Sequence, residues 1–215
     1  LGLIMKILIL GAPGAGKGTQ SDIISKKLNI PHISTGDILR KEISQGTELG
    51  KKVKEYVESG RLVPDEIIAD ILLNELKNDV YKNGYILDGF PRNIDQAKIL
   101  ENKGISFDKV VLIDTSEDEV LKRLSGRRVC EKCGAVYNIY YNKPKIDGIC
   151  DNCGGKLIQR DDDKEDVVKR RFEVFYNQTM PVIKYYEEKG ILIKVNGNKS
   201  LDDIKSEIFK LLGVI

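Results

Sequence analysis

Two groups of residues in this sequence are spaced for chemistry. The first is Gly11-Ala12-Pro13-Gly14-Ala15-Gly16-Lys17-Gly18-Thr19, which follows an apolar run and opens a segment of helical character. Glycines at these places let backbone N–H groups turn inward around phosphate oxygens, and the helix that follows presents its positive end. Lys17 would reach a transferred phosphoryl group. Gly18 stands where Ser or Thr commonly follows the lysine, with Thr19 one place later, so no hydroxyl directly after Lys17 is available to a magnesium ion. A glycine-rich turn without consequence is the plain alternative; the strand–loop–helix setting weighs against it.

The second group is Cys130-x2-Cys133 and Cys150-x2-Cys153, with 16 residues between the pairs. Each pair runs into a glycine, Gly134 or Gly154, which relieves the tight knuckle that two converging thiolates require. Four thiolates complete a tetrahedral shell and leave no place for an activated water, so the metal is expected to be structural. The spacing suits zinc, and iron stays open because it accepts the same ligands. Two disulfides or four free thiols are the competing readings. Tyr137, Tyr140 and Tyr141 alternate with Val136 and Ile139 and read as a hairpin face around the metal, with a base-stacking role for Tyr137 still compatible. His32, the single histidine, lies between Pro31 and Ile33 and reads as a packing residue.

These groups need elements to hold them. Short β-branched runs at Lys6–Leu10, Pro31–Ser34, Tyr85–Leu87, Lys109–Ile113 and Ile191–Val195 predict strands, and the longer segments between them have helical spacing. A helix begins near Pro64, with Ile67, Ile68, Ile71, Leu72 and Leu76 on one face. Ser116 and Glu119 have the spacing of a capping box. Ser200 caps a last helix that buries Ile204, Ile208 and Leu211 or Leu212. Alternating strands and helices imply an α/β fold with a parallel sheet covered on both faces, and ligands bound beyond the carboxyl ends of its strands. Thr35–Val63, read as mostly polar helix, and Arg127–Asp163, which holds every cysteine, break the alternation and read as insertions.

Bulk properties narrow the setting. The chain has 215 residues, 41% of them hydrophobic and 32% charged, which is a globular composition. Lys plus Arg number 35 against 33 Asp plus Glu, so a net charge of +2 gives no ground for a nucleic-acid or membrane partner. No apolar run approaches the ~20 residues of a membrane span. The apolar start lacks a basic region before it and a cleavage site after it, and reads as a buried strand rather than a signal peptide. Cysteines without a secretory signal point to the cytoplasm.

The glycine loop in its Gly-Lys-Gly-Thr form, Ser34-Thr35-Gly36-Asp37-Ile38-Leu39-Arg40, and Leu87-Asp88-Gly89-Phe90-Pro91-Arg92 resemble the signature segments of adenylate kinases. Arg160-Asp161-Asp162-Asp163 and Arg170-Arg171 resemble that family's later arginine positions. The resemblance implies a P-loop fold whose five-stranded parallel sheet is flanked by helices. The core would comprise 5–33, 64–125 and 164–215, with a helical monophosphate-binding insertion at 34–63 and a four-cysteine zinc lid at 126–163. It implies ATP contacts at Gly14, Ala15, Gly16, Lys17, Gly18, Thr19, Arg123, Arg127, Val136, Tyr137 and Lys199. AMP would be held by Thr35, Arg40, Arg61, Leu62, Val63, Gly89, Phe90, Pro91, Arg92 and Gln96, with Arg160 and Arg171 bridging the phosphates. Asp88 would hold magnesium through water, and Asn138 stands where the family sometimes has a histidine near adenine.

The implied activity is reversible transfer of the terminal phosphoryl group of ATP to AMP, giving two ADP, by a monomer using Mg²⁺ and a structural Zn²⁺. Such transfer needs no protein nucleophile; it needs alignment and cationic stabilisation of the equatorial oxygens. Lys17, Arg40, Arg92, Arg127, Arg160 and Arg171 would supply the cations, and arginine forks match phosphate geometry. Asp88, at the end of a buried strand, is a hard oxygen ligand suited to Mg²⁺. Arg170 reads as solvent-facing. Two rival readings remain: a kinase for UMP or CMP, against which Thr35 speaks by kinship, and a zinc-ribbon nucleic-acid-binding ATPase using Arg123, Arg127 and Arg128. The second leaves Thr35-Gly36-Asp37 and Asp88-Gly89-Phe90-Pro91-Arg92 without a purpose.

Overall fold

The computed structural model describes residues 4–58, 63–160 and 163–214, the side chains of Arg40, Val57 and Glu58 excepted. Strand β1 (Met5–Gly11) runs through the phosphate-type loop into α1 (Lys17–Leu28), which is followed by β2 (His32–Ser34). Helices α2 (Thr35–Gln45), α3 (Glu48–Glu58) and α4 (Asp65–Glu75) precede β3 (Gly84–Asp88), α5 (Ile94–Asn102), β4 (Lys109–Asp114) and α6 (Glu117–Gly126). Three short strands, β5 (Arg127–Cys130), β6 (Val136–Asn138) and β7 (Leu157–Ile158), lead to α7 (Glu165–Glu188), β8 (Leu192–Asn196) and α8 (Leu201–Leu212). All five expected strands form, each within one residue of its expected ends.

Five strands pair in the order β2-β3-β1-β4-β8, and every pairing is parallel. The period of two explains why β1 holds the centre. Leu8 and Leu10 point into one core with Leu72 and Leu100, while Ile7 and Ile9 point into another with Ile24, Ile204 and Ile208. Ile7, Leu8 and Ile9 are wholly buried, and such a side chain contributes about 1.5–3 kcal/mol by leaving water. A sheet buried on both faces exposes polar backbone only at its ends. Its parallel strands all deliver their carboxyl ends, at Gly11, Ser34, Asp88 and Asp114, to one edge.

Local chemistry accounts for most helix ends. Ser200 accepts from the Asp203 N–H at 3.2 Å, as expected, and Ile204, Ile208 and Leu212 are buried while Leu211 is exposed. Pro64 directly precedes α4. Ser116 does not form the expected capping box. Its hydroxyl donates to Asn198 Oδ1 at 3.1 Å, and Glu119 pairs with Arg123 at 2.8 Å. A long-range amide and an arginine one turn on offered these groups stronger partners than the helix's own N–H groups.

The Thr35–Val63 stretch, read as mostly polar helix, holds two helices, α2 and α3, among its described residues. Gly46, at φ 64°, ends α2 in the left-handed region, and Thr47 Oγ1 accepts from the Gly50 N–H at 2.9 Å at the start of α3. The two helices cross so closely at Gly50 that a Cβ there would stand 2.0 Å from the Glu42 carbonyl oxygen. The cysteine-bearing strands form a separate antiparallel sheet in the order β6-β5-β7. Gly50→Ala should force α2 and α3 apart, costing about 2–3 kcal/mol. Thermal unfolding should then show a midpoint lower by about 5–10 °C, and an unchanged midpoint would mean that the helices are not in contact there.

Candidate active site

The strand edge is occupied first by the glycine loop. Gly14 and Gly16 have φ of 81° and 92°, a region that L side chains rarely enter. A Cβ on Gly14 would also lie 2.6 Å from Leu124 Cγ. Gly16 precedes the first turn of α1, so the positive end of that helix faces the loop. Thr19 and Gly18 are exposed in that first turn. The Lys17 ammonium folds back to donate to the carbonyls of Gly11 at 3.0 Å and Ala12 at 3.2 Å. Burial lowers its pKa. Asp88 raises it, and Arg92, Arg171 and Arg127 lower it further. Four cations and one carboxylate therefore act on one another at this point.

A second wall comes from the end of β3. Asp88 leaves the sheet into Gly89, at φ 96°, and the cis peptide Phe90-Pro91, which places Arg92 at the mouth. Thr35, buried at the start of α2, donates its hydroxyl to the Asp88 carbonyl at 3.1 Å. It also lies beside Gly89, where an added Cβ would meet Thr35 Cβ at 3.7 Å. The Arg92 turn is braced by Gln96, whose Oε1 accepts from the Arg92 N–H at 2.6 Å and whose Nε2 donates to Asp65 at 2.7 Å. Gln96 is thus a buried support with both ends of its amide engaged, more than its place one turn after Arg92 indicates. Val63 packs against the adjacent apolar core. Arg61 and Leu62 lie outside the described residues, as does the side chain of Arg40.

Between these walls lies a cleft of about 280 Å³, closed on its third side by α7. Lys17, Gly89, Pro91, Arg92 and Arg171 line it. Arg170 is exposed, as expected, and also lines the cleft. Sequence reasoning missed the helix face formed by Val174, Phe175, Gln178 and Thr179, which line the cleft too. Their spacing from Arg171, at three, four, seven and eight residues, was the available signal.

His32 needs correction. Its Nδ1 lies 2.8 Å from Asp22 and its Nε2 3.7 Å from Asp88. Burial opposes its protonation, but the nearby carboxylates of Asp88 and Asp22 outweigh that and raise its pKa. It supports Asp88 and is more than packing. Asp88 itself is a carboxylate at a strand end beside Lys17, a donor of the kind that suits a hydrated hard cation.

The remaining expected residues divide. Arg123 is well placed: it donates to Ala15 O at 3.4 Å and Gly197 O at 2.7 Å, tying α6 to the glycine loop. Arg127 presents its fork to the wholly buried Asp163, at 2.8 and 2.5 Å. Arg160 is exposed after β7 and does not line the cleft. Lys199 pairs with Glu207 at 2.8 Å on the surface. Val136 is exposed, whereas the Tyr137 ring is buried among Cys130, Cys150 and Leu157. The hairpin reading of Tyr137 holds, with its backbone paired to Arg128 across the sheet. Asn138 bonds within the chain, to Arg123 O at 2.8 Å.

The four cysteines meet. Their Sγ atoms lie within 4.8 Å of one another, with Cys130–Cys153 and Cys133–Cys150 at 3.5 Å, and all are free thiols. Zn–S bonds of about 2.3 Å in a tetrahedron would separate the sulfurs by about 3.8 Å, so the set fits such an ion. Gly134 and Gly154 take the left-handed conformation at the two knuckles. Gly155 is held closer still: a Cβ there would lie 2.8 Å from Cys130 Sγ. The Tyr137 hydroxyl, with the backbone N–H groups of Asn152 and Cys153, favours the thiolate form of Cys150.

Comparison with known proteins agrees with this geometry. A family model described as "Adenylate kinase" matches residues 9–191. An adenylate kinase of Caldicellulosiruptor saccharolyticus is 52% identical over 214 residues, covering 98% of this chain and all of that protein. One of Acetivibrio thermocellus is 51% identical over 97% of this chain and 98% of its own length. One of Methanocella arvoryzae is 46% identical over 95% of this chain and 96% of its own. With a phosphate-type loop facing an arginine-lined cleft and full-length kinship of this degree, the chain belongs to the adenylate kinase family.

Proposed function

We propose that this chain catalyses the reversible transfer of the terminal phosphoryl group from ATP to AMP, giving two ADP. The observation that carries the reading is the convergence of Lys17, Arg92 and Arg171 on one cleft between the glycine loop and the Gly89–Arg92 turn, with the Asp88 charge acting on Lys17. ATP phosphates would lie in the loop at the head of α1. AMP would lie against Thr35, Gly89 and Arg92, its phosphate facing the chain of ATP. An AMP phosphate oxygen attacks the terminal phosphorus, the bond to the bridging oxygen breaks, and ADP departs, with no covalent bond to the protein. Lys17, Arg92, Arg127 and Arg171 serve by holding both phosphates in line and countering the charge that spreads over the transferred group. Arg40 and Arg160 belong to this set in the proposal, as do Arg61, Leu62, Phe90 and Pro91 on the AMP side and Arg123, Val136, Tyr137 and Lys199 on the ATP side. Asp88 would hold magnesium through water; when bound, that ion neutralises phosphate charge.

The residue ranges 34–63 and 126–163 act in this proposal as insertions that close over AMP and ATP. Closure excludes water, which would otherwise take the phosphoryl group. Cys130, Cys133, Cys150 and Cys153 would hold zinc as a structural ion, since four thiolates leave no open position. A monomer is the state this proposal assigns. Free thiols suit the reducing cytoplasm, and no helix among the described residues is long and apolar enough to cross a membrane.

Initial rates with ATP, Mg²⁺ and each of AMP, CMP, UMP and GMP test the reading. AMP should be the preferred acceptor; preference for CMP or UMP would make this a pyrimidine kinase, and turnover that ignores AMP but requires nucleic acid would refute it. Lys17→Met should lower turnover by roughly 10³-fold or more with the melting temperature unchanged, and near-normal turnover would remove Lys17 from the mechanism. Cys150→Ser should lose the metal and about 2 kcal/mol of stability, a drop of about 4–8 °C, while sparing the chemistry at moderate temperature. Metal content by elemental analysis and thermal unfolding check this together.

A further inference from the structure

Arg92 has a task that needs precision and a location that does not supply it. It lies between β3 and α5, on a turn, and a guanidinium is aimed only as well as the backbone beneath it is fixed. Two of the supports for that backbone are local: Gln96 receives the Arg92 N–H, and the Gly89 carbonyl receives Arg92 Nε at 2.7 Å. The third comes from across the cleft. Thr179 Oγ1 donates to the Arg92 carbonyl at 2.8 Å over a separation of 87 residues.

Thr179 is unusual for a threonine in a helix. Such hydroxyls ordinarily return to a carbonyl three or four residues back in their own helix. Here the hydroxyl leaves α7 and reaches the turn, and Thr179 is only 4% exposed. The bond is part-buried and its donor is nearly shut off from water, so it holds the turn to the helix. The same helix carries Arg171, eight residues earlier, and both residues line the cleft. Arg171 and Asp88 are the charges that act most on Arg92. The spacing between the two guanidinium groups therefore depends on how the turn is seated on α7.

We propose that Thr179 is a positioning residue for the acceptor phosphate: its hydroxyl, donated to the Arg92 carbonyl, seats the Arg92 turn on α7 and sets Arg92 against Arg171. The inference rests on the AMP-side role given to Arg92 above. It assigns Thr179 no contact with substrate; the residue acts through Arg92.

Thr179→Val keeps the shape and removes the donor, and Thr179→Ser keeps the donor. Each is compared with wild type in initial rates, varying AMP at saturating ATP and then the reverse, with thermal unfolding alongside. Thr179→Val should raise the KM for AMP about 5- to 20-fold and leave the KM for ATP within about twofold. Thr179→Ser should return the AMP KM to within about threefold of wild type. A purely structural role would lower the melting temperature and disturb both substrates alike, and that result overturns the proposal. So does an unchanged AMP KM in Thr179→Val, or an equal defect in Thr179→Ser. Should Thr179→Val fail to fold, Thr179→Ala takes its place under the same criteria. Wild-type protein that forms no ADP from ATP and AMP would overturn the underlying reading instead, independently of either variant.

Discussion

Everything at this strand edge depends on keeping like charges close together. Lys17, Arg92, Arg127 and Arg171 share one neighbourhood, with Asp88 the carboxylate that acts on Lys17 among them. Such a cluster repels itself, and neighbouring carbonyl dipoles and one buried carboxylate hold three of its members. The Lys17 ammonium lies on two loop carbonyls, Arg92 Nε on the Gly89 carbonyl, and the Arg127 fork on buried Asp163. Carbonyl partners are weaker than phosphate oxygens carrying full charge. A polyphosphate entering the cleft would therefore exchange tolerable partners for better ones, and preorganised cations of this kind act on a transferring phosphoryl group without reorganising at the moment of reaction.

The cysteine-bearing segment meets a different constraint with different means. Its antiparallel sheet has strands of two to four residues, and its buried cluster is Cys130, Tyr137, Cys150 and Leu157. Apolar burial on that scale does not order a segment of its length. The sulfur cluster supplies what the core lacks, and the glycines show how tightly it is drawn: Gly155 has no room for a methyl group beside Cys130. Tyr137 belongs to this packing, with its hydroxyl accepting from the Asp151 N–H at 2.8 Å and lying 3.5 Å from Cys150 Sγ.

What the sequence made legible follows from which interactions are local. Strand positions were readable because runs such as Lys109–Ile113 are β-branched and bounded by turns, and burial on both faces leaves such runs apolar. The glycine loop and the cysteine knuckles were readable because their function needs fixed spacing. The break at Gly46 is not legible in the sequence, because a single glycine within a polar helical stretch differs from a tolerated one only through its left-handed conformation. Ser116 was misread because Asn198, 82 residues away, outcompeted the local cap. His32 reads as a β-strand filler until β2 and β3 pair in register and bring its ring to Asp88. The sequence marks the glycine loop, Arg92 and Arg127 by motif, whereas the bonds by which Gln96 and Asp163 hold Arg92 and Arg127 are not legible in it.

Helix α7 joins these separate devices. Its 24 residues span about 36 Å, beginning beside Asp163, which holds Arg127 at the base of the cysteine-bearing sheet. It then passes Arg171 and Phe175 along the cleft, reaches the Arg92 turn at Thr179, and ends in the sheet core with Val182, Ile183 and Tyr186 buried. The buried end fixes the helix to the sheet, so the cleft-lining part projects from a rigid base. One bond of its ladder is missing at Pro181, which has no N–H to donate, so the element common to both sides of the cleft is the uninterrupted stretch from Glu165 to Met180. In the proposed reaction, the cations on the ATP side and those on the AMP side would thus keep a common reference while the segments around them close.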